Sequence, residues 1–449
     1  MSEDVQAAFR GAPSAASDNP PGRQWLVAAA MLLMSSLAQA DLAISPFTMS
    51  AIIARLHVAE NVGVLIMTMQ LGAFALAAFA CSAGLDRLRT DWLGRGSAVM
   101  VLICQVLSAF APTVAVMMAA RTLVGLGEGL CVGIAYTWLS QQDNCSRLLS
   151  NQGLVSIAAC IVLGLAVPEA VGLAGPWWGV LLPAIVAAAV GLLPASLALP
   201  AIRLAVTGRR TKASRRPEDC ARLGQAQSPR WGLAMAMIFA GMISANSNLL
   251  WLYSAQLGIH DGLNVLQVSV VNASCSLLCL VCPPLAYQTS RRWGELWPML
   301  ILSAIMGVTG WYFVTTRSAL IFVLSTYGNN IAYLWASVLL RIACAETDRT
   351  GRSTAAVVGA DSVGWVLGPL VAGIVGIFWP GLTGLGVFTV LTSIIAGVAI
   401  WLRRGIAPSG PAQLTIVDLA ESETVGVEPG LNGAQDEGLR ASSAIFGSL

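Results

Sequence analysis

Charge is what this chain of 449 residues most conspicuously lacks. Asp, Glu, Lys and Arg make up 11% of it, against about 25% in soluble globular domains. The formal net charge is +2, so there is no basic face with which to neutralise phosphates, and a nucleic-acid partner is excluded. Lys212 is the single lysine, and His57 and His260 are the only histidines, which leaves little for His-based metal or acid–base chemistry. Ten cysteines are scattered singly through apolar stretches, against the pattern of a secreted disulfide framework. Cys275, Cys279 and Cys282 make a helical stripe, but no His or second cluster supports a soft-metal site there. No nucleophile–base set and no phosphate loop can be found, so nothing points to an enzyme, a cofactor or a metal. What the chain has instead is 56% hydrophobic residues. It reads as a membrane protein.

Residues 1–23 are a polar N-terminal tail without the basic start of a secretory signal. The apolar run that begins at Trp25 is too long for a signal core and reads as an uncleaved first span. About 20 mostly apolar residues cross a bilayer as a helix. Twelve such stretches are predicted, at 25–52, 62–84, 96–114, 116–139, 149–171, 177–200, 231–256, 264–287, 296–315, 318–342, 354–377 and 379–402. The fold class is therefore an all-α membrane protein. If the N-terminus is cytoplasmic, every basic residue except Arg55, Arg317 and the intramembrane Arg121 falls on the cytoplasmic side, as the positive-inside rule requires. Trp25, Trp177, Trp178, Trp231, Trp297, Trp379 and Trp401 stand near predicted span ends, where an aromatic belt belongs. Six spans lie in residues 24–200 and six in 231–404, joined by a basic cytoplasmic linker at 201–230. The polar tail, 405–449, reads as disordered and cytoplasmic.

Six plus six spans about a basic linker resemble the major facilitator superfamily, whose halves are repeats packed around a midplane site. The loop between spans 2 and 3, from Gly84 to Arg95, carries Asp86-Arg87 and then Asp91-Trp92-Leu93-Gly94-Arg95. It is similar to that family's Gly-x-x-x-Asp-Arg-x-Gly-Arg signature with extra residues. Span 4 contains Arg121-Thr122-Leu123-Val124-Gly125-Leu126-Gly127, like the family's Arg-x-x-x-Gly-x-Gly. Asp348-Arg349-Thr350-Gly351-Arg352, then Gly364, Gly368-Pro369 and Gly373, complete the pattern in the second half. The antiporter signature of span 5 has no clear counterpart. The resemblance implies two six-helix pseudo-repeats around a central cavity, alternating access, and a gating role for Asp86, Arg87, Asp91, Gly94 and Arg95.

Ionisable side chains inside a span are costly and normally face a cavity or a partner. Asp41, Arg121, Glu128 and Asp361 qualify. At 1.5 Å per residue, Asp41 lies roughly 24 Å above the inner boundary and Arg121 about 9 Å below the outer one. These levels agree well enough for an ion pair. Seven residues, close to two turns, separate Arg121 from Glu128, so both project from one helix face. Buried carboxylates suit proton coupling, which makes Glu128, Asp41 and Asp361 the candidates. Arg121, always charged, suits an anionic substrate group. Gln39, Tyr136, Asn246, Asn248, Trp251, Tyr327, Asn330 and Tyr333 add hydrogen-bonding and aromatic groups fit to orient a small molecule.

The chain is accordingly expected to be a monomeric secondary transporter in the plasma membrane, a bacterial inner membrane. It would move a small organic solute, with an organic anion favoured, by symport with protons. Proton-antiport efflux of hydrophobic compounds and a non-transporting membrane sensor on the same fold stay open as alternatives.

Overall fold

Lipid offers the backbone no hydrogen-bond partner, so an apolar chain that crosses it satisfies its own amides by forming helices. The computed structural model describes residues 21–84, 90–142, 144–198, 229–263, 265–348, 351–378 and 383–404. These are almost wholly helical and contain no strand. The tail after Arg404 and most of the N-terminal tail and basic linker lie outside the described residues, as do Asp86 and Arg87.

The first half begins with α1 (Pro21–Ala43) and α2 (Ser45–Leu56). Then come α3 (Glu60–Gly84), α4 (Thr90–Ala109) and α5 (Val114–Ser140). It closes with α6 (Cys145–Val186), a π-helical Ala187–Leu192 and α7 (Leu193–Leu197). The second half holds α8 (Pro229–His260), α9 (Val265–Leu278), a 3-10 turn at Cys279–Val281 and α10 (Cys282–Trp293). It ends with α11 (Leu296–Thr315), α12 (Ala319–Thr347), α13 (Arg352–Phe378) and α14 (Thr383–Arg404).

Among the described residues, 9 stretches are long and apolar enough to cross a membrane. One of them, Cys145–Leu197, is 53 residues long and is kinked at Gly175, whose φ of 81° precedes Pro176. That is length enough for two crossings. The expected first span is broken at Ile44, where Pro46, lacking an amide hydrogen, starts α2. Its apolar pieces are Trp25–Gln39 and Phe47–Leu56. α12 is long enough but falls outside the nine, because Ser325, Thr326, Asn329 and Asn330 interrupt its apolar run. With these three adjustments the helices are consistent with twelve crossings.

The packing repeats along the chain. In the first half α5 lies against α1, α3 and α4, and α1 against α6. In the second, α12 lies against α8, α10 and α11, and α8 against α13. These pairs are consistent with a displacement of six crossings between the halves. Between the halves, α13 packs on α3 and α5 while α6 packs on α10 and α12, and these contacts map onto each other under the same displacement. The main apolar core crosses between the halves, joining Phe74, Val132 and Leu139 to Ala336, Leu340 and Val357.

Helices come this close only where side chains are missing. A Cβ on Gly125 would run into the carbonyl oxygen of Gln70 on α3, and one on Gly364 into that of Gly241 on α8. Backbone cannot give way as a flexible side chain can. Gly125→Ala should therefore lower stability by about 1–3 kcal/mol, the usual cost of overpacking. Thermal unfolding in detergent checks this, and a midpoint at the native value would show that α3 and α5 are less tightly apposed.

Candidate functional site

Between the halves lies a cavity of about 210 Å³. Gln39 of α1, Phe74 of α3 and Gly153, Ser156 and Cys160 of α6 contribute from the first half. Ser247 and Trp251 of α8, Cys275 of α9, Asn330, Tyr333 and Arg341 of α12, and Asp361 and Trp365 of α13 contribute from the second.

Two charges meet in its wall. Arg341 stands six residues before the end of α12 and Asp361 nine after the start of α13, so each is about 9–14 Å inside its helix. Arg341 Nη2 lies 3.0 Å from Asp361 Oδ2, with the side chains only 10% and 13% exposed. Removing one partner of such a buried pair strands the other charge, which typically costs about 3–5 kcal/mol. The carboxylate is held further by hydroxyls: Ser244 donates to Oδ1, and Tyr333 donates to the same oxygen at 3.2 Å. Trp365 Nε1 donates to the Tyr333 hydroxyl at 2.9 Å, which fixes that ring beside the pair.

The guanidinium also reaches the first half. Its Nη1 donates to the Tyr136 hydroxyl of α5 at 2.7 Å, and its carbon lies 5.3 Å from the Tyr136 ring centroid. Tyr136 in turn donates to Gln152 Oε1 on α6 and accepts from Gln39 Nε2 at 3.5 Å. Arg341 Nε and Gln152 Nε2 are buried without a hydrogen-bond partner. A carboxylate, an arginine, two tyrosines and two glutamines from five helices thus form one connected polar group at the cavity.

The other expected site residues are distributed differently. Gln39, Trp251, Asn330, Tyr333 and Asp361 line the cavity, and Tyr136 is one bond behind it. Arg121 and Glu128 are fully buried in the first half and do not line it. Glu128 Oε2 accepts from Gln70 Nε2 at 3.2 Å and borders a separate void of about 10 Å³ with Gln105 and Leu37. Asp41 belongs to α1, but its side chain is outside the described ones. Asn246 bonds the Thr389 carbonyl and the Ser393 hydroxyl, tying α8 to α14. Asn248 donates to the Trp365 carbonyl, and Tyr327 shares a hydrogen bond with Ser274 at 2.7 Å. In the loop signature, Asp91 and Gly94 are buried in the first turns of α4, and Arg95 Nη2 reaches the Leu197 carbonyl at 3.5 Å within the same half. No group of three or more His, Cys, Asp or Glu side chains fit to hold a metal occurs among the described residues.

Two central residues escape sequence reasoning. Arg341 sits one residue inside the predicted end of span 10, at 342, and so reads as a boundary arginine; α12 continues to Thr347 and carries it inward. Gln152 lies near the start of span 5 with no spacing or motif to mark it. The available signal was a matched depth: Arg341 and Asp361 stand about equally far from the turn between their helices.

A family model described as Major Facilitator Superfamily matches residues 31–347. No curated protein matches the sequence. Among solved structures, the chain is similar to the proton:xylose symporter XylE bound to 6-bromo-6-deoxy-D-glucose. That likeness has a TM-score of 0.63 at 13% identity and covers 84% of this chain and 95% of that one. The human organic anion transporter MFSD10 gives a TM-score of 0.61 at 14% identity over 86% and 100%. The nucleoside transporter NupG gives 0.55 at 14% over 85% and 100%. At such identities the likeness is one of fold.

Proposed function

The chain belongs to the major facilitator superfamily, and from that premise we propose that it carries a small organic anion across the plasma membrane together with a proton. The observation that supports this is the buried Arg341–Asp361 pair in the wall of the cavity between the halves. Residues 24–200 and 231–404 act as the two rocking units, with both termini in the cytoplasm.

The guanidinium geometry suggests how the two cargoes are linked. Nη1 is held by Tyr136 and Nη2 by Asp361, while Nε has no partner. Nε and Nη2 share one edge, which matches a carboxylate bidentately. A substrate carboxylate that takes this edge displaces Asp361 and leaves Nη1 facing the Tyr136 hydroxyl. Asp361 then faces a low-dielectric cavity without its cation, where a lone charge is costly. It takes up a proton, and anion and proton are loaded together. The sequence points to Arg121 and Glu128 for this exchange; Arg341 and Asp361 are favoured because they line the cavity. Trp251, Trp365 and Phe74 would cover the apolar body of the solute. Glu128, bonded to Gln70, then serves to fix α5 on α3.

Uptake into proteoliposomes tests the reading, with a panel of benzoate, lactate, succinate, xylose and uridine and an imposed pH gradient. The expected result is accumulation of a carboxylate only when the outside is acidic. Accumulation with the gradient reversed would favour efflux by antiport. Uptake confined to the neutral solutes would remove the anion from the proposal.

A further inference from the structure

Beyond the cavity, the two halves meet again at the end of the bundle where α5 turns into α6 and α12 into α13. Ser140 donates to Thr354 Oγ1 at 3.0 Å, Ser146 to Glu346 Oε1 at 2.6 Å, and Ser150 to the Pro283 carbonyl at 2.8 Å. A Cβ on Gly351, whose φ is 77°, would lie 2.6 Å from the Thr137 backbone, so the chain is pressed against α5 there. This end is shut.

The last turn of α5 contains both the closure and the contact with the cavity. Ser140 holds α13, Thr137 lies under Gly351, and Tyr136 holds Arg341. One rigid helical turn therefore connects the guanidinium of the second half to the seal between the halves. Gln152 takes the Tyr136 hydroxyl hydrogen, which leaves the oxygen lone pairs for Arg341 and Gln39. The hydroxyl is thus set as an acceptor for the cation, and its bond is charge-assisted, the stronger kind.

We infer that Tyr136 is a positioning residue that makes the state of Arg341 felt at the closure: while Arg341 is shared between Tyr136 and Asp361, the end stays shut. Any change in how Arg341 is held, such as a substrate carboxylate replacing Asp361, alters the bond that keeps the last turn of α5 on the second half. The substrate part of this statement rests on the reading of Arg341 as an anion anchor; the latch itself does not.

Amide hydrogen exchange on the full chain in lipid nanodiscs, without any solute, tests the latch. Segments 144–148 and 351–355 report on the closed end. Tyr136→Phe keeps the ring and deletes only the hydroxyl, and should speed exchange in both segments about ten-fold, the effect of losing one hydrogen bond to a charged group. Neutralising the pair by Arg341→Gln with Asp361→Asn should do the same, and adding Tyr136→Phe to that double variant should add nothing. A purely structural tyrosine would give additive effects. Native exchange in Tyr136→Phe, or full additivity, overturns the inference. Non-additive acceleration in a protein that takes up no carboxylate would keep the latch and discard the anion.

Discussion

Asp361→Asn should abolish gradient-driven accumulation and leave solute exchange across the membrane running. With one proton moved per anion, the native protein can concentrate its solute about ten-fold for each pH unit imposed. The variant should reach only the level expected without a gradient. Asparagine is nearly the shape of the protonated acid and can still accept from Ser244 and Tyr333, the two hydroxyls that hold the carboxylate. What it loses is the negative charge opposite Arg341 and the ability to exchange a proton. Binding therefore survives while coupling does not, and counterflow of labelled solute distinguishes the two. Full accumulation by Asp361→Asn would move the proton to Glu128 or Asp41.

Arg341→Lys should weaken binding of the anion by about 10- to 100-fold despite keeping the positive charge. A guanidinium is a planar fork that bonds Tyr136 and Asp361 together with 2.7 Å and 3.0 Å contacts and still presents Nε. An ammonium is a strongly hydrated point charge and cannot reproduce three bonds in one plane. Each lost hydrogen bond to a charged group is worth about 1.5–3 kcal/mol, which sets the range. The concentration dependence of uptake measures it, and monodisperse elution in detergent separates weak binding from misfolding. Native affinity in this variant would take the anion away from Arg341 and return Arg121 to consideration.

The class of the molecule was legible from the absence of charge, and most crossings from apolar run length, because both depend on local composition. The cavity was legible only in part. Asp361 was visible as an acid within a span, and Tyr333 and Asn330 as polar residues on a helix expected to face inward. Helical spacing puts Arg121 and Glu128 on one face, but spacing does not say which neighbour that face meets. The glycines decide it: Gly125 and Gly129 press on the Gln70 and Phe74 carbonyls, and the Glu128 bond to Gln70 follows the same direction. The Glu128 carboxylate is spent on α3. Arg341 was obscured because hydropathy estimates where a span leaves lipid, whereas the helix itself runs on through Ala343, Cys344 and Ala345 to Thr347. The break in the first span falls beside Pro46, and a proline alone does not reveal whether a helix bends or stops.

The Arg341–Asp361 pair also bears on the order in which the chain enters a bilayer. Synthesis delivers α12, with its arginine and its polar Asn329 and Asn330, before α13, which supplies the carboxylate twenty residues later. An arginine within an inserting helix is costly, and α12 is not among the stretches apolar enough to cross on length and composition alone. α13 is. Until Asp361 emerges, the cation has no acid from α13 to meet. The two helices are thus a single hairpin as far as insertion is concerned, in which the second member makes the first one tolerable to lipid.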